Sequence, residues 1–189
     1  CDDKLNLPAR LGHILCLDDF EAAARRHLPA PVFAYVSGGV ERNQTLSANA
    51  SAFDRYEFVT RVLVDTSKRS TTTELFGQSW SAPFGIAPMG ICALSAYRGD
   101  MVLAQAAVRE KVPMIMSGSS LIRMEDVVQA NPGAWFQAYL PGARTEIVAL
   151  IERVKSAGYQ TLVVTLDASI ASNRENNIRA GFSTPLRPS

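Results

Sequence analysis

The sequence predicts an α/β protein built on a parallel sheet, and two observations carry that prediction. Short apolar segments begin near residues 84, 113, 134 and 161 and alternate with stretches of helical periodicity, so that the repeat is about 20–30 residues long. The apolar segments are almost uninterrupted, which is typical of strands in a covered sheet. Strands that alternate with helices pair in parallel through right-handed crossovers. About four βα units are therefore expected from residue 80 to residue 182.

The first 60 residues or so are predicted to be helical. In the segment LDDFEAAARRHLP, Asp18 and Glu21 have the spacing of a capping box, and Pro29 follows the end of the helix. Two more short helices are expected on either side of the Gly38–Gly39 pair. The segments RYEFVTRVLVD and TTTELFGQSWSAP are predicted to be extended or to form hairpins.

The four predicted strands lead into four helices or loops. FGIAPM, PMIMSG, AWFQAYL and TLVVTLD are the predicted strands. RGDMVLAQAAVREK, RMEDVVQAN and RTEIVALIERVKSAG are predicted helices, and Gly158 is expected to end the last of these as its C-cap. The whole chain, residues 1–189, is expected to be one domain.

Composition excludes several classes of function. Hydrophobic residues make up 47% of the 189 residues, charged residues make up 20%, and the net charge is +1. Such a balance does not indicate a nucleic-acid partner or an anionic membrane surface. No apolar run approaches the ~20 residues of a membrane-spanning helix, and no signal peptide is recognisable, although the sequence begins at Cys1. Three scattered cysteines without a C-x-x-C motif predict neither a disulfide framework nor a metal site.

Two architectures share the βα repeat. One is a (β/α)8 barrel, which needs ~250 residues, so the chain would supply only its first half. The other is a doubly wound open sheet, although neither common phosphate loop of that class is present. The repeat alone leaves both open.

Polar residues at the ends of the predicted strands indicate a binding site. Gln137 and Tyr139 interrupt an aromatic strand and should point to the same side, because side chains alternate along a strand. Ser117, Thr165 and Asp167 follow or end neighbouring strands. Barrel enzymes place their chemistry at these ends. The five side chains are expected to surround one polar ligand, with Asp167 buried among them.

A purely structural role competes with this interpretation. A single Ser or Thr at a strand end more often belongs to a turn or a helix cap, which is the ordinary explanation for Ser117 or Thr165 alone. Gln137 in mid-strand and Asp167 after an apolar run favour a functional site more strongly. Met114 and Met116 are predicted to belong to the core.

At these residues the sequence resembles the FMN-dependent 2-hydroxy acid oxidases and dehydrogenases, which include glycolate oxidase, lactate oxidase, mandelate dehydrogenase and the flavin domain of flavocytochrome b2. The resemblance runs from about residue 20 to residue 182. It is carried by LPAPVFAYVSGG, RVLVDTSKRSTTTELFGQSWSAPFGIAP, MIMSGSS, WFQAYL and TLVVTLDASIASNREN. The family fold is a (β/α)8 TIM barrel, so the resemblance favours that architecture.

The resemblance implies a cofactor site for FMN. The backbone of Pro88, Met89 and Gly90 would lie against the flavin ring. Hydrogen bonds to its polar edge would come from the strand ends, at Ser117, Gln137 and Thr165. Such donors tune the electronics of the cofactor.

The resemblance also implies substrate-binding and catalytic residues. Tyr35 and Arg174 match the residues that bind the substrate carboxylate, for which a planar guanidinium is well suited. Tyr139 matches a tyrosine that contacts the substrate oxygen, and Asp167 matches the carboxylate that orients a catalytic histidine. Ser119 stands where glycolate-oxidising relatives carry tryptophan, which implies a substrate larger than glycolate, such as lactate or mandelate.

The rest of the family machinery is expected outside this sequence. The catalytic histidine, its partner arginine, a lysine beside the flavin and the phosphate site belong to the second half of the barrel, and neither His13 nor His27 matches the base. The chain ends where relatives enter a long active-site loop. A second polypeptide or segment is therefore expected to complete the barrel, with a genuine truncation as the alternative. A homotetramer is expected by analogy. A cytoplasmic or peroxisomal location is expected because no signal peptide or membrane span is recognisable in the sequence.

The expected activity is FMN-dependent oxidation of an L-2-hydroxy acid to a 2-oxo acid, with oxygen reoxidising the flavin. One alternative is another FMN-dependent barrel enzyme, similar to isopentenyl diphosphate isomerase. Another is a half-barrel fragment without enzymatic activity.

Overall fold

A computed structural model describes residues 9–140, 142–167 and 170–184; Cys1 and the end of the chain lie outside these ranges. The chain divides into two compact units, residues 58–171 and residues 1–57 with 172–189, and the expectation of one domain stays a prediction. The helices are α1 Asp19–His27, α2 Ala30–Ser37, α3 Gln44–Ser51, α4 Gly99–Glu110, α5 Met124–Ala130, α6 Arg144–Ala157 and α7 Glu175–Arg179. The strands are β1 Thr73–Leu75, β2 Gln78–Trp80, β3 Ile115–Ser117, β4 Trp135–Ala138 and β5 Leu162–Val164.

The unit formed by the two ends of the chain is helical, as the sequence predicts. Helices α2 and α3 are separated at Gly38, whose extended backbone ends α2. Helix α1 ends at His27 after two arginines, so that cationic side chains lie at the negative end of the helix dipole. Helix α7 belongs to the same unit and contacts α2.

The start of α1 differs from the predicted capping box. Asp18 has helical backbone angles and its side chain caps nothing. The carboxylate of Asp19 instead accepts hydrogen bonds from the backbone N–H groups of Leu15 (2.7 Å) and Cys16 (3.1 Å). The predicted capping box is therefore absent, and the carboxylate of Asp19 holds the chain that precedes the helix rather than capping the first turn.

The second unit contains a parallel sheet whose strands are neighbours in chain order. β3 pairs with β4, β4 pairs with β5, and Ile86 forms a single parallel bridge with Met114 before β3. A doubly wound sheet reverses its strand order at a switch point, whereas a barrel adds each strand beside the last. The order in the described residues is therefore that of a barrel.

The first predicted strand, FGIAPM, is reduced to that bridge. Ile86 donates its N–H to the carbonyl of Pro113 (2.8 Å) and accepts from the N–H of Ile115 (2.9 Å). Pro83 and Pro88 flank it, and a proline has no N–H to extend a ladder. The pairing is therefore in the predicted place but is too short to count as a strand.

Helices α4, α5 and α6 cover the side of the sheet that carries the apolar core. Met114, Met116, Phe136 and Ala138 are at most 2% exposed and pack with apolar residues of these helices, as predicted for the methionines. Helix α6 ends at Gly158, where a positive φ of 111° fits a glycine C-cap. Because alternate residues point away from this core, Ile115, Ser117, Trp135 and Gln137 line the opposite side of the sheet.

Of the two predicted extended segments, only the second forms a hairpin. β1 and β2 pair antiparallel across a turn at Gly77, whose φ is 74°. Residues 55–65 form no paired strand, and Phe58 and Leu63 are fully exposed, so the hairpin that was one of the two expectations for this segment is not present. An extended segment without a neighbour has no partners for its N–H and C=O groups. None of the described helices is both long and apolar enough to cross a bilayer.

Replacing Asp19 with alanine should weaken the start of α1 at neutral pH. Hydrogen bonds from Leu15 and then Cys16 lower the pKa of this carboxylate below 3.8, so its contribution is present above that pH. The contribution is lost as the pH falls through the lowered pKa. Urea unfolding should show a small loss of stability at neutral pH that disappears in strong acid. Asp18→Ala is the matched control, and an equal loss in that variant would contradict the assignment.

Candidate functional site at the strand ends

The side chains of Ser117 and Gln137 meet where β3 and β4 end. These two residues are partners in the parallel register, and they are 4% and 2% exposed. Thr165 follows β5 and donates its backbone N–H to the carbonyl of Ala138 (3.0 Å), which brings the third strand end to the same level. The sequence-based prediction that the three strand ends converge agrees with this geometry.

The side-chain amide of Gln137 joins all three strand ends. Its Oε1 accepts hydrogen bonds from the hydroxyl of Ser117 (3.3 Å) and the backbone N–H of Gly118 (3.1 Å). Its Nε2 donates to the hydroxyl of Thr165 (2.8 Å). Because a backbone N–H can only donate, the atom facing Gly118 must be the amide oxygen, which fixes the orientation of the amide.

These hydrogen bonds explain how a glutamine side chain can be buried in an otherwise apolar strand. Gln137 is satisfied by neighbouring strand ends, so its burial needs no ligand. Sequence analysis overlooked Gly118, although the run SGSS after a strand is a signal for a turn with free N–H groups. Gly118 is required because a Cβ there would lie 2.7 Å from the carbonyl oxygen of Gln137.

Two donors of this cluster have no acceptor among the described residues. An amide nitrogen carries two hydrogens, and Gln137 uses one of them on Thr165. The hydroxyl of Thr165 accepts that bond, and its own hydrogen has no acceptor among the described residues. Ser117 donates to Gln137 and accepts from the N–H of Ser119 (3.1 Å). The cluster can therefore offer two hydrogen bonds to acceptors of a ligand.

The segment Pro88–Gly90 lies beside the cluster. A Cβ on Gly90 would be 3.5 Å from Cβ of Ser119 and 4.0 Å from Oγ of Ser117, and the next residue, Ile91, donates its N–H to the carbonyl of Ser119 (3.1 Å). Gly90 and Met89 are exposed, and Met89 keeps 45% of its surface. A bare backbone next to polar strand ends can approach a flat ring closely.

Tyr139 and Asp167 do not join the buried cluster. Tyr139 follows the last residue of β4 and is 43% exposed, whereas Gln137 is 2% exposed, so a ligand site shared by the two side chains stays a prediction. Asp167 lies three residues beyond Val164 and is exposed, which contradicts the predicted burial. Alternation of side chains applies only within a strand, and both residues lie past the point where pairing stops.

Tyr35 and Arg174 contact each other in the helical unit, although they are 139 residues apart in sequence. Nη2 of Arg174 donates to the carbonyls of Tyr35 (3.0 Å) and Gly38 (2.7 Å), and its guanidinium lies 4.9 Å from the centre of the Tyr35 ring. The Tyr35 ring also stacks on the ring of Phe182, with 4.4 Å between the ring centres. Three N–H groups of Arg174, on Nε and Nη1, have no acceptor among the described residues.

Cys92 lies two residues after Gly90 but is not a candidate nucleophile. Burial raises the pKa of its thiol, and the negative charge of Asp100 raises it further. The thiol therefore stays protonated at neutral pH, and a protonated thiol is a poor nucleophile. No group of three or more potential metal ligands is found among the described residues.

An apolar cleft of about 380 Å³ lies at the other end of the strands. Its walls include Trp80 of the hairpin and Ile115 and Trp135, which precede Ser117 and Gln137 by two residues. None of its lining residues titrates, so the cleft offers no acid–base chemistry. The polar cluster at the strand ends is the better candidate site.

Replacing Gln137 with methionine should destabilise the protein by about 2–4 kcal/mol, because the buried Ser117 hydroxyl and the Gly118 N–H both lose their acceptor. Thr165→Val removes one hydrogen bond at a partly exposed position and should cost about 1 kcal/mol. Urea unfolding of both variants measures the difference. Equal losses in the two variants would show that Gln137 is not the centre of the cluster.

Comparisons with known proteins identify the family and agree with the fold. The family model of the FMN-dependent dehydrogenases matches residues 24–189. The chain is 34% identical to the L-lactate oxidase of Lysinibacillus sphaericus over 96% of its own length and 47% of that protein. It is 38% identical to an L-lactate dehydrogenase of Haemophilus influenzae over 89% of its own length and 45% of that protein.

Superposition on solved structures finds relatives of the same kind. The crystal structure of (S)-mandelate dehydrogenase, a monotopic membrane protein, superposes with a TM-score of 0.85 and 31% identity over 91% of this chain and 46% of that one. A mandelate oxidase superposes with a TM-score of 0.84 and 28% identity over 89% of this chain. The chain spans about half the length of these relatives and supplies the first βα units of a (β/α)8 barrel. It belongs to the FMN-dependent dehydrogenase family.

Proposed function

We propose that the complete protein oxidises an L-2-hydroxy acid to a 2-oxo acid with FMN as cofactor. The observation that carries the proposal is the cluster of Ser117, Gln137 and Thr165, which offers two free donors next to the bare backbone at Gly90. Because the chain spans about half of its relatives, activity requires a second segment or polypeptide that completes the barrel.

The residues of the cluster fit the polar edge of a flavin. That edge carries carbonyl oxygens and ring nitrogens, which are acceptors for the free hydrogens of Gln137 and Thr165. In the segment from Pro88 to Gly90, Pro88 is half-buried and Met89 and Gly90 are exposed, which leaves a flat ring room to approach the backbone. Bound FMN would supply a two-electron acceptor, and the protein groups would set its position and electronics.

Tyr35 and Arg174 are the proposed binders of the substrate carboxylate. Their mutual contact supports a shared role, because the ring of Tyr35 and the carbonyls of Tyr35 and Gly38 hold the guanidinium in place. Both hydrogens of Nη2 are used, so Nε and Nη1 are left for a carboxylate. The fixed guanidinium loses little side-chain entropy on binding.

Tyr139 and Asp167 are proposed to assist the oxidation of the substrate's hydroxyl-bearing carbon, and both side chains are at least partly exposed. The hydroxyl of Tyr139 would donate to the substrate oxygen, and Asp167 would accept a hydrogen bond from an imidazole of the missing half. That imidazole would remove a proton from the substrate, and the carboxylate would stabilise the resulting cation. Their exposure in this half of the barrel leaves both side chains open to such partners.

Ser119 is proposed to determine the size of the substrate. It is exposed, and its small side chain lies next to Gly90 beside the cluster. A small residue there leaves room for a side chain such as that of lactate or mandelate. Oxygen as the final electron acceptor, a homotetramer, and a cytoplasmic or peroxisomal location also stay predictions.

The proposed function is tested by mixing the complete, FMN-loaded enzyme with hydroxy acids under anaerobic conditions. L-lactate and (S)-mandelate should bleach the flavin absorbance, whereas the opposite enantiomers should not. Glycolate should be oxidised with a lower kcat/KM than the larger acids. Admitting oxygen should restore the absorbance if the enzyme is an oxidase.

Three results would contradict parts of this proposal. A protein that binds no FMN would favour the non-enzymatic fragment. A flavoprotein that no hydroxy acid reduces would favour another FMN-dependent barrel enzyme. A preference for glycolate would overturn the role of Ser119 alone.

Arg174→Lys should raise KM for every hydroxy acid by about tenfold or more, because a point charge cannot replace the planar guanidinium. The matched control is Asn176→Ala, since Asn176 also donates to a carbonyl of α2, that of Ala34 (2.7 Å). The control should lower the melting temperature without changing KM. If both variants change KM alike, Arg174 only stabilises the helical unit.

A further inference from the structure

Asp100 is buried without a role in the site described so far. It lies in the first turn of α4 and is 2% exposed. A carboxylate at a helix N-terminus is ordinary, but it is usually exposed to water, because burying a charge is costly. A buried carboxylate in this position therefore indicates a specific hydrogen-bonded partner.

That partner is Ser120, which lies in the turn after β3. The hydroxyl of Ser120 donates to Oδ2 of Asp100 (2.8 Å) and accepts from the N–H of Ile122 (3.0 Å). The backbone N–H of Ser120 donates to the carbonyl of Ser117 (3.1 Å). Ser120 thus closes the turn that begins at Ser117 and attaches it to the start of α4.

The turn continues directly into the candidate flavin site. The N–H of Ser119 donates to the hydroxyl of Ser117, and that hydroxyl donates to Gln137. The carbonyl of Ser119 accepts from the N–H of Ile91, next to Gly90. A continuous series of hydrogen bonds therefore runs from Asp100 through Ser120 to the residues that would face the cofactor.

The start of α4 also packs against the other loop of the site. A Cβ on Gly99 would lie 2.8 Å from the sulfur of Cys92 and 3.0 Å from its carbonyl oxygen. The helix is therefore in close contact with the residues that follow Gly90. The turn after β3 and the loop after Gly90 therefore both contact the N-terminal end of α4.

We propose that Asp100, acting through Ser120, is a positioning residue for the turn Ser117–Ser120 and so for the cofactor contacts of Ser117 and Gln137. This inference rests on the proposed function for its effect on FMN. The arrangement of the turn itself does not depend on that function.

The test uses the complete enzyme in five forms: wild type, Asp100→Ala, Asp100→Asn, Ser120→Ala and the double alanine variant. Each alanine variant should raise the Kd for FMN about tenfold, which corresponds to the loss of one hydrogen bond to a charged group. The double variant should be no weaker than the weaker single variant, because both changes break the same contact. Asp100→Asn keeps an acceptor for Ser120 and should bind FMN within about threefold of wild type.

Tyr159→Phe is the matched control for a loss of stability alone. The hydroxyl of Tyr159 is buried and donates to the carbonyl of Met124 (2.9 Å) on the helix side of the sheet. Removing it should reduce the melting temperature about as much as Ser120→Ala but leave the Kd for FMN unchanged. An equal rise of the Kd in this control, or none in Ser120→Ala, would overturn the proposal.

Amide hydrogen exchange of residues 117–122 gives a second measurement that needs no cofactor. Exchange there should accelerate in Ser120→Ala and Asp100→Ala but not in Tyr159→Phe. If the wild-type enzyme binds no FMN, the proposed function fails, and exchange alone decides the positioning role. Unchanged exchange in Ser120→Ala would then refute it, even if Asp100→Ala failed to fold.

Discussion

The polar end of the sheet depends on the side-chain amide of Gln137. Parallel strands hold each other through backbone hydrogen bonds only as far as the ladder extends, and β3, β4 and β5 have three or four residues each. Beyond that point the side-chain amide of Gln137 links the strand ends. Its oxygen accepts hydrogen bonds from Ser117 and Gly118, and its nitrogen donates one to Thr165. A buried amide without these partners would cost about 1–3 kcal/mol, so the residue can be kept only if all three strand ends are in register.

The two sides of the parallel sheet have different roles, because one side packs against helices and the other carries the polar strand ends. On the helix side of the sheet, Met114, Met116, Phe136 and Ala138 form a dry core with α4, α5 and α6. On the opposite side, the strands pass from apolar residues at their starts to polar residues at their ends, as Trp135 and Gln137 illustrate. This change of polarity along one face leaves polar side chains for a ligand only at and just beyond the strand ends, which is the common arrangement of barrel enzymes.

Sequence reasoning predicted the repeating βα units, the helix ends at Gly158 and Gly38, and the meeting of Ser117, Gln137 and Thr165. Periodicity, glycine punctuation and polar residues at strand ends are local signals. It failed where tertiary contacts determine the hydrogen-bond partners or the exposure of a side chain. The missing capping box at Asp18, and the bonds of Asp19 to Leu15 and Cys16, depend on the path of the preceding chain. The exposure of Asp167 depends on where strand pairing stops, and Gly118 as a partner of Gln137 depends on a neighbouring strand. None of these can be obtained from residue type and spacing alone.

The central claim is that the donors left over at the strand ends bind the polar edge of FMN. The most direct measurement is a crystal structure of the complete enzyme with its cofactor. The account predicts Nε2 of Gln137 and Oγ1 of Thr165 about 3 Å from acceptors of the flavin, while Oε1 of Gln137 keeps its bonds to Ser117 and Gly118. A flavin bound away from these strand ends, or a Gln137 amide turned so that its oxygen leaves Gly118, would contradict it.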